Sequence, residues 1–189
     1  MPKIKERLVG TLEIALFMKS GINNFDNDFR AMIQSFSIFV LSFVFSIMSF
    51  PFLYEAKQEL QNLGFSSALV IFILKFLIGY ILALGFIYFI NKIMKREHNF
   101  IKFITTSNWA SLINLVLFLP LFFLMKSGVS NYNDLYPHMV ILSVYSYVLS
   151  AFIIRYVIDI PWELAVFITV CLLALNEAGF KMLYAFVGA

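Results

Sequence analysis

The sequence predicts an all-α fold: an integral membrane bundle of five transmembrane helices with an N-terminal amphipathic interfacial helix. Three observations lead there. Of the 189 residues, 61% are hydrophobic and only 13% are charged, a balance that leaves a water-soluble domain of this size without polar cover for its surface. The apolar residues are gathered into five runs of roughly 20 residues or more, the length at which a helix rising about 1.5 Å per residue crosses about 30 Å of hydrocarbon. Turn and capping residues separate the runs.

The first run extends from Ala31 to Phe52. It follows "NNFDNDF", residues 23 to 29, whose acidic pair Asp26 and Asp28 suits a helix start. As a cation site the pair lacks the loop glycine and distal glutamate of a calcium hand. Pro51 reads as the stop of this run, and Asn62-Leu63-Gly64 as the break before the second, Ser66 to Ile93. The basic "KREHN" at 95 to 99 leads into the third, Ile101 to Met125, where Pro120 predicts a kink. "SGVSNYNDLYP" at 127 to 137 precedes the fourth, Met139 to Ile158, and "DIP" at 159 to 161 leads into the fifth, Pro161 to Val187. Ahead of all five lies "PKIKERLVGTLEIALFMKSG", in which Ile4, Leu8, Leu12 and Ala15 share one stripe of a helix lying in the interface. Residues 1–30 therefore read as a cytoplasmic amphipathic leader and 31–189 as one transmembrane domain.

Basic residues set the expected orientation. Lys3, Lys5, Arg7, Lys19 and Arg30 precede the first span, Lys92, Lys95, Arg96 and Lys102 lie between the second and third, and Arg155 is near the last joint. The other side holds only Lys57 and Lys126, with Lys181 near the end of the fifth span. The positive-inside rule then puts the N-terminus in the cytoplasm and the C-terminus outside, as in a bacterial inner membrane. Trp109 and Trp162 are expected in the cytoplasmic interfacial belt, and Tyr54, Tyr132 and Tyr136 in the outer one.

No constellation of reactive residues stands out. His98 and His138 fall on opposite sides of the membrane, and the single cysteine, Cys171, lies in mid-helix, so neither a Cys/His nucleophile nor a zinc site of N and S ligands can assemble. There is no Gly-rich phosphate loop and no Gly-x-Ser-x-Gly elbow. The sequence thus predicts no catalytic residue, no metal and no cofactor. The net charge of +3 gives no reason to expect nucleic acid.

Every span instead carries a stripe of small or polar residues: Ser35, Ser42, Ser46 and Ser49; Lys75, Gly79 and Ala83; Ser107, Ser111 and Asn114; Ser143, Ser146 and Ser150; Ala174, Glu177 and Lys181. Such stripes let helix backbones approach, and the same faces can line a solute route. Counting about 1.5 Å per residue, Lys75 lies about 12 Å below Ser67 and Glu177 about 15 Å below Val187. An ion pair between them is expected, with Asn114 at similar depth within reach and Lys181 a rival partner one turn from Glu177. The intramembrane polar cluster is therefore Lys75, Asn114, Glu177 and Lys181. Lys92, Lys95, Arg96 and Lys102 form a basic cytoplasmic surface suited to anionic lipid or an acidic protein partner.

A cytoplasmic N-terminal segment followed by five packed spans resembles the Ypt-interacting (Yip) family of small membrane proteins, particularly its bacterial relatives. "NFIKFITTSNWASLINLVLFLPLFF", Asn99 to Phe123, is similar to the family's middle span, and "FIIRYVIDIPWELAVFITVCLLAL", Phe152 to Leu175, to the joint between its last two. The Asp-Leu-x-Gly-Pro motif ahead of the first span in eukaryotic members is absent, "DLYP" at 134 to 137 being a different sequence elsewhere. The resemblance implies the five-span layout and carries over no functional residue and no small-GTPase partner. The expected role is a non-enzymatic scaffold, adaptor or accessory subunit, the alternative a small-solute transporter or its substrate-binding subunit.

Overall fold

The computed structural model describes residues 2–187, which are helices and turns with no strand among them. In chain order they are α1 (Pro2–Ala15), a 3-10 turn (Lys19–Asn24), α2 (Phe29–Ala56), the short α3 (Gln58–Gln61), α4 (Phe65–Ile93), a second 3-10 turn (Glu97–Asn99), α5 (Phe100–Lys126), α6 (Tyr132–Ile158) and α7 (Trp162–Val187). α2, α4, α5, α6 and α7 are each long and apolar enough to cross a membrane. They close a ring in which α2 packs on α5, α5 on α6, α6 on α7, α7 on α4 and α4 back on α2. The short joints alternate between two ends: α1 and the joints at 94–99 and 159–161 mark the basic end, and those at 57–64 and 127–131 the far end.

Local chemistry sets the helix ends. Asp28 caps α2 by accepting from the Arg30 amide at 3.2 Å. At α6 the Asp134 amide donates to Asn131 Oδ1 at 2.9 Å and the Asn131 amide donates to Asp134 Oδ2 at 3.3 Å, a reciprocal capping box. It starts α6 at Tyr132, well before the expected Met139, and leaves Pro137 inside the helix. Pro51 is likewise no stop, because α2 runs through it to Ala56. A proline forfeits one helical bond, but hydrocarbon offers no water to the backbone groups that opening the helix would expose. Phe50, Leu53 and Tyr54, on either side of Pro51, pack with Leu60, Ala68 and Phe72 in a small cluster at the far end.

Burial is uneven along the membrane normal. Towards the basic end, Ile14, Ile22 and Phe25 from the leader share one core with Ile87, Trp109, Ile113, Leu149, Phe152, Ile154, Ile158, Ala165 and Ile168. Trp109 is only 6% exposed, so it is a core residue and not part of an interfacial belt. Trp162 is exposed and leans on Tyr156 and Phe152.

The leader turns the reverse of its apolar stripe to the bundle. Ile4, Leu8 and Leu12 stay exposed, where an interface would cover them. Arg7, Gly10, Thr11 and Ile14 are buried, with α1 lying on α5. Arg7, 3% exposed, donates from Nη1 to Gln34 Oε1 on α2 at 3.1 Å. Gly10 is obligatory: a Cβ there would lie 2.6 Å from Asn24 Cβ and 2.9 Å from the Gly21 carbonyl oxygen.

Candidate functional site

Two helices that meet along the ring, α4 and α7, each carry a charge about 15 Å from their far ends, ten residues in from Phe65 and Val187. Lys75 Nζ lies 3.6 Å from Glu177 Oε1, and the side chains are 27% and 56% exposed. They line a chamber of about 590 Å³ whose other walls include Phe50, Phe72, Tyr80 and Asn176, with Lys57 and Glu59 also on its lining. Asn176 was not singled out from sequence. A Cβ on Gly79 would sit 3.0 Å from its Oδ1, so the glycine is what admits this amide between α4 and α7. Its only sequence signal is an amide beside a glutamate in an otherwise apolar run, "LNEAG".

A second chamber, of about 420 Å³, adjoins the first through Phe50, Leu53, Phe72, Phe76 and Tyr132. It is lined by Ser42, Ser46 and Ser49 of α2, by Ser111 and Asn114 of α5, and by carbon from Phe45, Leu115, Phe118, Leu121, Phe122 and Met125. Asn114 therefore belongs to this chamber and not to the one that holds the charges. Its Oδ1 accepts from Ser146 Oγ at 2.8 Å, tying α5 to α6. The stripe expected on α7 is also displaced. Ala174, Glu177 and Lys181 are exposed, and the positions of α7 that face the core are Ala165, Ile168 and Thr169.

Beneath the chambers the bundle is closed by hydrogen bonds between helices. Tyr80 OH donates to Asn108 Oδ1 at 2.9 Å, Asn108 Nδ2 donates to Ser35 Oγ at 2.9 Å, and the Ser42 and Ser111 hydroxyls are 2.9 Å apart. The Tyr80 ring stacks at 4.0 Å on Phe39. Asn108 thus joins α4, α5 and α2 in one chain of bonds. Asn108→Leu should lower stability by about 1–2 kcal/mol, because two interhelical bonds go and the Tyr80 hydroxyl loses its acceptor; thermal unfolding in detergent measures this, with Ser107→Ala as the control.

At the basic end the four predicted surface lysines and arginines divide. Lys92 and Lys95 are exposed. Arg96 is turned onto the joint between α6 and α7, donating from Nη1 to the carbonyl oxygens of Ile158 and Asp159 and to Asp159 Oδ2 at 3.0 Å. Arg155 reaches the same carboxylate at 3.7 Å, and Asp159 holds a left-handed backbone, φ 58°, as the cap of α6. Asn27 clips the remaining joint by donating to the His98 carbonyl and accepting from the Lys102 amide at 3.2 Å. Arg96 is therefore a structural tie through its guanidinium, and Lys102 is tied through its backbone amide. Among the described residues no three of His, Cys, Asp and Glu gather to hold a metal.

Five apolar spans, a charged pair set within them and a hydrogen-bonded closure define a multi-pass helical membrane protein in contact with the lipid bilayer. The chain belongs to the Yip1 domain family, whose sequence profile matches residues 22–180. No curated protein and no solved structure shows significant similarity to it.

Proposed function

We propose that this Yip1 domain protein is a non-enzymatic scaffold, adaptor or accessory subunit of a bacterial inner-membrane complex, with its basic end in the cytoplasm and a protein partner there. The observation that carries the reading is the cross-tied basic end. Arg96, Arg155 and Asn27 lock three joints together, and the Tyr145 hydroxyl donates to the Ala15 carbonyl at 2.7 Å to hold the leader. A surface fixed in this way loses little freedom when a partner docks. Lys92 and Lys95 stand free of those ties to meet an acidic partner.

Two experiments bear on it. Photo-crosslinking residues at positions 92 and 95 should trap one protein at unit stoichiometry in the native membrane, and the adduct should vanish with charge reversal at the other position. Crosslinks to lipid alone would remove the adaptor reading. For orientation, single cysteines at Lys95 and Asn131 in a Cys171→Ser background should label from opposite sides, Lys95 from the cytoplasm. A second reading, a small-solute transporter or its substrate-binding subunit, is favoured by the paired chambers above a closed floor.

A further inference from the structure

We propose that the two adjoining chambers form a binding site for one bilayer phospholipid whose zwitterionic headgroup ends in a primary ammonium. The headgroup would lie against Lys75, Glu177 and Asn176, with an acyl chain in the serine and phenylalanine chamber. The inference uses the same cavity as the transport reading but rests neither on transport nor on a protein partner.

The headgroup chemistry follows from the pair. A lone anion at Lys75 Nζ would have the Glu177 carboxylate 3.6 Å from its partner, and a lone cation at Glu177 would face the ammonium of Lys75. Like charges at that range repel, by an amount that the partial exposure of Glu177 reduces but does not remove. A group bearing both signs meets neither penalty. Lying antiparallel beside the pair, its phosphate against Lys75 and its ammonium against Glu177, it closes a ring of four alternating charges without separating the two side chains. Asn176 Oδ1, on the same chamber wall, is an acceptor for an N–H, which a primary ammonium has and a trimethylammonium lacks.

The second chamber decides against a water-soluble occupant. Its serines look polar in sequence, yet their hydroxyl protons are already committed: Ser46 donates to the Ser42 carbonyl, Ser49 to the Phe45 carbonyl, and Ser111 to the Asn108 carbonyl. The Asn114 oxygen is engaged by Ser146. What remains facing the space is chiefly carbon from Phe45, Leu115, Phe118, Phe122 and Met125. Both volumes fall in the range of about 300–1,000 Å³ usual for ligand sites. A charged chamber adjoining an apolar one suits a molecule with a head and a tail.

The test is native mass spectrometry of the full-length protein released from a mild non-ionic detergent doped equally with phosphatidylethanolamine, phosphatidylcholine and phosphatidylglycerol. The expected result is one retained phosphatidylethanolamine per chain, favoured about tenfold over either other lipid. Lys75→Met with Glu177→Gln should erase that preference while keeping side-chain volume. Ser46→Leu with Ser49→Leu, which leaves the charged pair intact, should lower retention of all three lipids about tenfold by filling the tail chamber. Equal retention of the three lipids by the unaltered protein would overturn the proposal, as would full retention in the serine variant. Stabilisation by millimolar phosphoethanolamine with no lipid retained would also overturn it, in favour of a soluble zwitterion. None of these outcomes touches the crosslinking result at Lys92 and Lys95.

Discussion

Lys75→Glu and Glu177→Lys should each destabilise the protein in detergent, and the two together should recover much of the loss. Either single change sets like charges 3.6 Å apart on α4 and α7. An unpaired charge at a helix centre costs about 2.5–3.5 kcal/mol on insertion scales. Here that is a ceiling, because the Glu177 side chain is 56% exposed and water repays part of the cost. The expected single-variant loss is about 1–3 kcal/mol, with a favourable coupling of at least about 1 kcal/mol in the double variant. Thermal unfolding followed by circular dichroism measures all four proteins. Damage that merely adds would mean the pair does not hold α4 to α7.

A larger effect is expected at the leader. Gly10→Val should detach α1 and the turn after it from the bundle, because even the first added carbon would lie 2.6 Å from Asn24 Cβ and 2.9 Å from the Gly21 carbonyl oxygen. The backbone on the Gly21 side cannot yield without moving the whole turn. Undocking exposes Ile14, Ile22 and Phe25, each 3% exposed or less and each worth about 1.5–3 kcal/mol when buried. Limited proteolysis between residues 15 and 29 should become at least tenfold faster, roughly the change that about 1.4 kcal/mol of local opening produces. Leu12→Val, on the exposed stripe of the same helix, should change little. A Gly10→Val protein cleaved as slowly as the parent would show that α1 finds another seat.

The five spans were legible because hydrocarbon demands continuous apolar length, a property of the sequence alone. Lys75 and Glu177 could be set opposite each other because depth is counted along each helix from its own end. Rotation about the helix axis is another matter. Asn108 and Asn114 sit six residues apart on the same span and so point to different sides of the helix, one facing Ser35 on α2 and Tyr80 on α4, the other Ser146 on α6; the count along α5 separates the two faces without naming the neighbour each meets. Trp109 was misplaced because its position suits a belt, while the leader that covers that region comes from far away in sequence. Arg7 counts in the sequence only as one of the basic residues ahead of the first span, and its burial against the bundle shows once Gln34 of α2 is brought to it. Pro51 and Pro137 stayed inside helices since the penalty for opening a helix is set by the surroundings, which local propensity does not contain.

The position of the two tryptophans has an optical consequence. Trp109 lies within the core near the basic end and Trp162 at that same end beside Tyr156, while the aromatic residues that line the chambers are tyrosine and phenylalanine, with no tryptophan. Indole emission will therefore follow melting of the basic half and remain blind to the far half, whereas helical ellipticity averages over both. If the bundle melts as one unit, the two signals will trace the same curve. If the far half lets go first, ellipticity will fall while the emission maximum stays put, and the gap between the curves will give the independence of the two halves directly.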